Sequence, residues 1–132
     1  MKEKAGLIPW IETEDGIKML FMKSSNPAYG GSKWQISKGH MDKGEKPLAT
    51  AVREAEEELG VRKSDMSNVT LVGKFKLSGD VEDYILHIYK AHMKTTKVGP
   101  HDSEVGKVKW MTPKEFMSSG RNIHIPIIKK AS

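Results

Sequence analysis

Three glutamates, Glu54, Glu57 and Glu58, stand three and four residues apart directly behind Arg53, a spacing that gathers side chains on one side of an α-helix. At about 100° per residue, with Leu48 at zero, Val52, Ala55 and Leu59 fall within about 40° of Leu48, while the acids fall near 240°, 180° and 280°. One face of this helix is expected to be apolar and the other carboxylate. The acids lie in its last turns, before Gly60, where the helix dipole is negative and each anion is disfavoured by roughly 0.3 to 1 kcal/mol. Two like charges about 4 Å apart repel by about 1 kcal/mol in water and about 4 kcal/mol at an effective dielectric of 20. A divalent cation would turn that cost into a gain. Hard oxygen ligands select magnesium, with manganese as the alternative. The competing reading is an acidic surface helix, which any one of these glutamates alone would suggest.

The elements needed to position such a site are legible nearby. Pro47 suits a first helical position and Gly60 a left-handed stop. Ala5 to Ile11 and Lys18 to Met22 read as strands around a turn at Glu14-Asp15-Gly16, Trp34 to Ile36 as a brief strand, and Val69 to Phe75 and Tyr84 to Tyr89 as two more with a turn near Ser78-Gly79-Asp80. Residues 24–32, rich in turn formers, read as a mobile loop, and a polar loop is expected from Lys94 to Ser103. Val105 to Met111 reads as a further strand, and Thr112-Pro113 opens a second helix. The sum is an α+β domain with a mostly antiparallel or mixed sheet and two helices.

The chain has 132 residues, no cysteine, 30% charged residues and a net charge of +5. It is read as one domain, 1–132, able to bury a core without disulfides. Thiol catalysis and cysteine-based zinc sites are excluded. No apolar run reaches the length of a membrane span, so the expectation is a cytoplasmic protein with no membrane partner. Between Gly39 and Val61 six acids face three bases, a balance of −3, which leaves +8 for the rest of the chain. An acidic island in a basic protein fits a cation site whose surroundings attract a polyanion.

Written out, Gly39-His-Met-Asp-Lys-Gly-Glu45, then Arg53-Glu54-Ala-Glu-Glu57-Glu58-Leu-Gly60-Val61, resembles the Nudix box, with every charged and glycine position matched and Ala55 where a bulky aliphatic is usual. The resemblance implies an α/β/α sandwich with a mixed sheet between helices. It also implies hydrolysis of a nucleoside diphosphate linked to another moiety, with Mg²⁺ (or Mn²⁺) as cofactor. Glu54, Glu57 and Glu58 would be metal ligands, joined by the backbone at Lys38 and Gly39. Arg53 would orient Glu54, Glu45 would steady the loop, and one of the box acids or a later one would be the general base. Trp34-Gln-Ile-Ser37-Lys38-Gly39-His40 is similar to the corresponding segment of the diadenosine polyphosphate hydrolases, with Ser37 in place of proline. Ser103-Glu104 followed by Lys109-Trp110 is similar to another segment of that subgroup, which makes Glu104 a candidate base or additional ligand.

Lys38 and His40 are expected to grip the polyphosphate, and Tyr29, Tyr84, Tyr89 and Phe75 are the aromatic side chains that could stack on a base, with core or edge packing as the competing role for most and Tyr29 best placed as a lid. His87, in an apolar strand, is read as a satisfied structural histidine, and the methionines as core filler. The favoured function is a pyrophosphohydrolase of dinucleoside polyphosphates, a nucleotide or dinucleotide being the substrate. ADP-ribose or another nucleotide conjugate, the 5′ end of RNA, and a non-catalytic nucleotide-binding module are the alternatives. A monomer or a homodimer is expected.

Overall fold

The computed structural model describes residues 2–26, 28, 32–79 and 81–132. Tyr29, the candidate lid, and Asp80 lie outside them. Six strands and three helices follow in the order β1 (Lys2–Thr13), β2 (Gly16–Ser24), β3 (Ser37–His40), α1 (Pro47–Leu59), β4 (Met66–Leu77), β5 (Tyr84–Met93), β6 (Val105–Met111), α2 (Pro113–Ser119) and α3 (Ile125–Ala131).

The sheet runs β4-β5-β1-β2-β6, with β3 on β1. It is mixed because β1 and β5 pair in parallel, whereas β1 pairs antiparallel with β2 and β3. The long first strand serves two neighbours on one side. Its second half takes β2 through a turn at Gly16, which has φ 98°, and its first half takes β3, with Lys4 opposite His40 and Gly6 opposite Lys38. Alternation along the strands fills both faces. Ile8, Phe21, Leu86 and Ile88 join Phe116, Ile127 and Ile128 of α2 and α3 in one core. Leu7, Leu20, Met22 and Met93 join Ala51, Ala55 and Leu59 of α1 in the other. This is the expected sandwich of a mixed sheet between helices.

Three expectations need correction. Leu48 is 42% exposed and Val52 half-buried; Ala51, Ala55 and Leu59 meet the sheet instead. Small side chains at 51 and 55 let the helix approach closely, which rotates the contact stripe away from Leu48. Second, residues 34–36 form no strand. Trp34 and Gln35 make single bridges to Gly120 and Met22, and the strand begins at Ser37. Third, the described residues form three α-helices. α3 has a proline, Pro126, in its first turn but no side-chain cap, so the sequence marks its start more weakly than that of α2, which has the Thr112/Glu115 capping box.

His87 is buried with its Nε2 2.8 Å from Glu3 Oε1, a satisfied structural histidine. Met19, Met22, Met93 and Met111 are core residues. No helix among the described residues is long and apolar enough to cross a membrane.

Candidate active site

The carboxylates of α1 are held by a network centred on Arg53. Its Nε and Nη2 donate to the two oxygens of Glu45, each at 2.9 Å, its Nη1 donates to Glu54 Oε1 at 2.9 Å, and Nη2 also reaches the His40 carbonyl at 3.2 Å. The planar guanidinium suits this task because its donors are fixed relative to one another. Glu57 stands 3.7 Å from Nη1 and is 45% exposed, a looser pair. Glu45 accepts in addition from the Asp42 amide (3.0 Å) and the Thr50 hydroxyl (2.5 Å). Hydrogen bonds from Arg53 foremost, then Thr50 and Asp42, hold its carboxyl down at about 2. Glu45 thus closes the 40–46 loop onto the first turns of α1.

Glu58 points the other way, into β3. Its Oε1 accepts from the Ser37 hydroxyl at 2.8 Å and the Lys38 amide at 3.0 Å. Ser37, the departure from the proline of the related segment, supplies a donor that proline lacks. Burial pushes the Glu58 carboxyl up to about 7, with the charge of Glu54 adding to it and the Ser37 bond opposing it. Glu54 is also raised, chiefly by burial, against the pull of Arg53. Lys38 is displaced in the opposite sense. Burial foremost, then Lys4 and Arg121, brings its ammonium down to about 8. His40 is lowered as well, by burial and then by Lys4.

Gly39 faces Glu54 so closely that a Cβ would land on its carboxylate. Gly39→Ala is therefore expected to displace the tip of Glu54 while sparing the fold, because a flexible side chain gives way first. A misplacement of that order can cost about 10²-fold in turnover. Parallel melting curves and initial rates check this, and wild-type turnover would refute the cradle.

Glu104 is brought to the site by its loop. The Asp102 amide donates to the Glu57 carbonyl at 2.9 Å and the Gly99 amide to the Gly60 carbonyl at 2.7 Å, so the loop caps the C-terminal end of α1. From the other side the Ser25 amide and hydroxyl donate to the Glu104 carbonyl at 2.9 and 3.0 Å. The result is a cleft of about 560 Å³ lined by Lys38, Gly39, His40, Glu58 and Glu104, together with Lys4. Tyr84 does not line it. It is buried, carries Lys4 Nζ 4.3 Å above its ring, and lines an adjoining cavity of about 290 Å³ that shares Lys4 and His40 with the first.

Lys4 was not singled out from the sequence, and Ser37 stood out there only as a departure from proline, not as a partner of Glu58. No spacing marks them, since each reaches the site through strand register. His101 Nδ1 lies 3.1 Å from the carbonyl oxygen of Asp102, its neighbour in the loop.

Among the described residues no three acidic, imidazole or thiol side chains form a finished metal cage. The donors nevertheless fit a hard dication. Glu54 and Glu58 are both desolvated, the charge of Glu54 raises the Glu58 carboxyl and that of Glu57 raises the Glu54 carboxyl, and a glycine backbone lies against Glu54. These carboxylates would gain by exchanging each other's charge for a cation's.

The sequence profile of the NUDIX domain matches residues 3–131. The chain belongs to the NUDIX domain family. It is 32% identical over 114 residues to a putative mRNA-decapping protein of Acanthamoeba polyphaga mimivirus, covering 80% of this chain and 32% of that protein. It is 36% identical over 70 residues to the asymmetrical bis(5′-nucleosyl)-tetraphosphatase of Sus scrofa, covering 53% of this chain and 43% of that one. This NUDIX chain thus spans less than half the length of these curated relatives. Among solved structures, a C. elegans Ap4A hydrolase binary complex superposes with a TM-score of 0.84 at 19% identity, covering 99% of this chain and 95% of that chain. The NUDIX domain of Shewanella oneidensis NrtR, complexed with ADP ribose, gives 0.80 at 16% identity, over 99% and 86%. At these identities the superpositions establish the NUDIX fold.

Proposed function

We propose that this chain is a pyrophosphohydrolase that cleaves the phosphoric anhydride of a nucleoside diphosphate linked to another moiety, with dinucleoside polyphosphates as the favoured substrates. One observation carries the reading: the ammonium groups of Lys4 and Lys38 and the imidazole of His40 line the same cleft as the carboxylates of Glu58 and Glu104. Such a cleft offers an anion its counter-charges and offers a water molecule a base.

Glu54, Glu57 and Glu58, with the backbone at Lys38 and Gly39, would hold Mg²⁺ or Mn²⁺. The chemistry the ion supplies there is electrostatic, neutralising diphosphate oxygens and easing deprotonation of water. Lys38, with an ammonium lowered to about 8 by burial, regains its full charge when a phosphate supplies the missing counter-ion. Arg53 holds Glu54 in place and leaves Glu57 loosely tethered. The proton of the attacking water passes to a carboxylate facing the cleft. Glu104 suits this role because its loop is clamped from both sides, and such a base contributes typically 10²- to 10⁴-fold.

The Sus scrofa relative, named for asymmetrical cleavage of a tetraphosphate, supports dinucleoside polyphosphates. A second reading, the 5′ end of RNA, draws on the decapping relative and on the +8 charge outside the box, since phosphate contacts dominate nucleic-acid affinity. Chromatographic product analysis on diadenosine tetraphosphate, ADP-ribose, capped RNA and 5′-triphosphate RNA with Mg²⁺ separates them. The expected result is the highest kcat/KM on diadenosine tetraphosphate, with ATP and AMP as products. Preference for capped RNA would install the second reading. Binding without turnover under any divalent cation would sink both.

A further inference from the structure

The backbone between Trp34 and Lys38 is held from three directions. Gln35 exchanges both of its backbone bonds with Met22 of β2, at 2.8 and 3.0 Å. Ser37 and Lys38 are held by Glu58 of α1. Ile36, between them, has a buried amide whose partner is a side chain 88 positions away, His124, which accepts at Nδ1 over 3.2 Å. His124 is fully buried at the junction of α2 and α3, and among the described residues its Nε2 has no hydrogen-bond partner. An imidazole that accepts at Nδ1 must carry its proton at Nε2. Burial, with Lys38 and Arg121 adding to it, holds the ring neutral, far below its usual titration range. A buried, half-satisfied histidine is a costly filler where a leucine would pack without loss. What it provides is an acceptor for an amide that would otherwise be orphaned, two residues before the lysine of the cleft.

We propose that His124 is a positioning residue: through Nδ1 it fixes the Ile36 amide and thereby sets the seat from which Lys38 and the Ser37–Glu58 clamp face the substrate. The assignment of Lys38 to phosphate rests on the proposed function; the His124–Ile36 bond does not.

Three substitutions separate this role from bulk packing. His124→Asn keeps an acceptor at the Nδ1 branch position, His124→Gln moves it one bond further out, and His124→Leu removes it. Two readouts are taken, the exchange rate of the Ile36 amide by NMR and calorimetric binding of a methylene-bridged diadenosine tetraphosphate. His124→Leu and His124→Gln are expected to speed Ile36 exchange by at least tenfold and weaken binding about tenfold. His124→Asn should stay within about threefold of wild type in both. In a Lys38→Ala background, His124→Leu should weaken binding by clearly less than it does in the wild-type background.

Slow Ile36 exchange in His124→Leu, or identical behaviour of the Asn and Gln variants, overturns the proposal. So does a full additional loss of binding in the Lys38→Ala background. Should His124→Leu fail to fold, the Asn and Gln pair decides the matter. If the wild-type chain does not bind the analogue, the substrate reading fails on its own, and the amide exchange still judges the His124 strut.

Discussion

Glu58→Gln is expected to lower turnover by roughly 10²- to 10⁴-fold while making the metal-free protein more stable at pH 8. The loss follows from removing a carboxylate that faces the cleft and is a candidate ligand, a magnitude typical for deleting a group that handles charge at the reacting centre. The gain follows from its surroundings. Gln retains an oxygen to accept from the Ser37 hydroxyl and the Lys38 amide, yet removes a charge that burial and Glu54 disfavour. A structural residue would lose stability and activity together; a functional one is retained against stability. Initial rates and a denaturant titration on the same preparation test this, and near-wild-type turnover would reject the role of Glu58. Glu57→Gln should also cost orders of magnitude in turnover, with little change in stability because Glu57 is exposed and its pair with Arg53 is loose, at 3.7 Å.

The second large effect is a pH-dependent response to magnesium. Glu58 has its carboxyl raised from 4.5 to about 7 in the folded state. Below pH 4.5 it is protonated folded and unfolded, and costs nothing. As pH rises from 4.5 to 7 the unfolded chain releases the proton first, so stability falls, by about 3 kcal/mol in all, and levels off above 7. Glu54, also raised, acts in the same sense. Glu45, lowered to about 2, exerts its opposite effect below pH 4.5, outside this window. His124 and His40, both lowered, act in the opposite sense up to about pH 6.5, so the Glu58 contribution is read against Glu58→Gln: relative to that variant, the melting temperature without metal is expected to fall between about pH 5 and 7.5, by up to about 10 °C at this chain length. A dication bound to the ionised carboxylates stabilises only the folded state, so the rise produced by millimolar Mg²⁺ should grow across the same interval. Glu58→Gln should remove most of that growth. Calorimetry at a series of pH values reads both, and a magnesium effect independent of pH would separate Glu58 from the ion.

Much of the site was legible because its residues are close in sequence. Glu54, Glu57 and Glu58 share one helix by periodicity, Pro47 and Gly60 bound it, and Gly60 does adopt the left-handed stop at φ 71°. Glu104 was reached only by likeness to a known segment, since what places it beside Glu58 is the docking of 99–102 on the end of α1. The same periodicity placed Ala55 and Leu59 correctly on the buried face of α1 but put Leu48 there as well. A helical wheel gives the direction of hydrophobicity, but how closely the sheet is approached depends on Ala51 and Ala55, and that moved Leu48 into solvent.

The sequence by itself determined the helix, its boundaries, its load of clustered carboxylates and the family whose box it carries, because these depend on contacts within about a dozen neighbouring positions. Only the tertiary structure decided that Glu54 and Glu58 point to different partners, that Lys4 and Lys38 share one cleft with Glu104, and that His124 secures the Ile36 amide. Those arrangements follow from strand register and from the choice of donor for each buried amide, which are settled when distant segments compete to satisfy the same backbone groups.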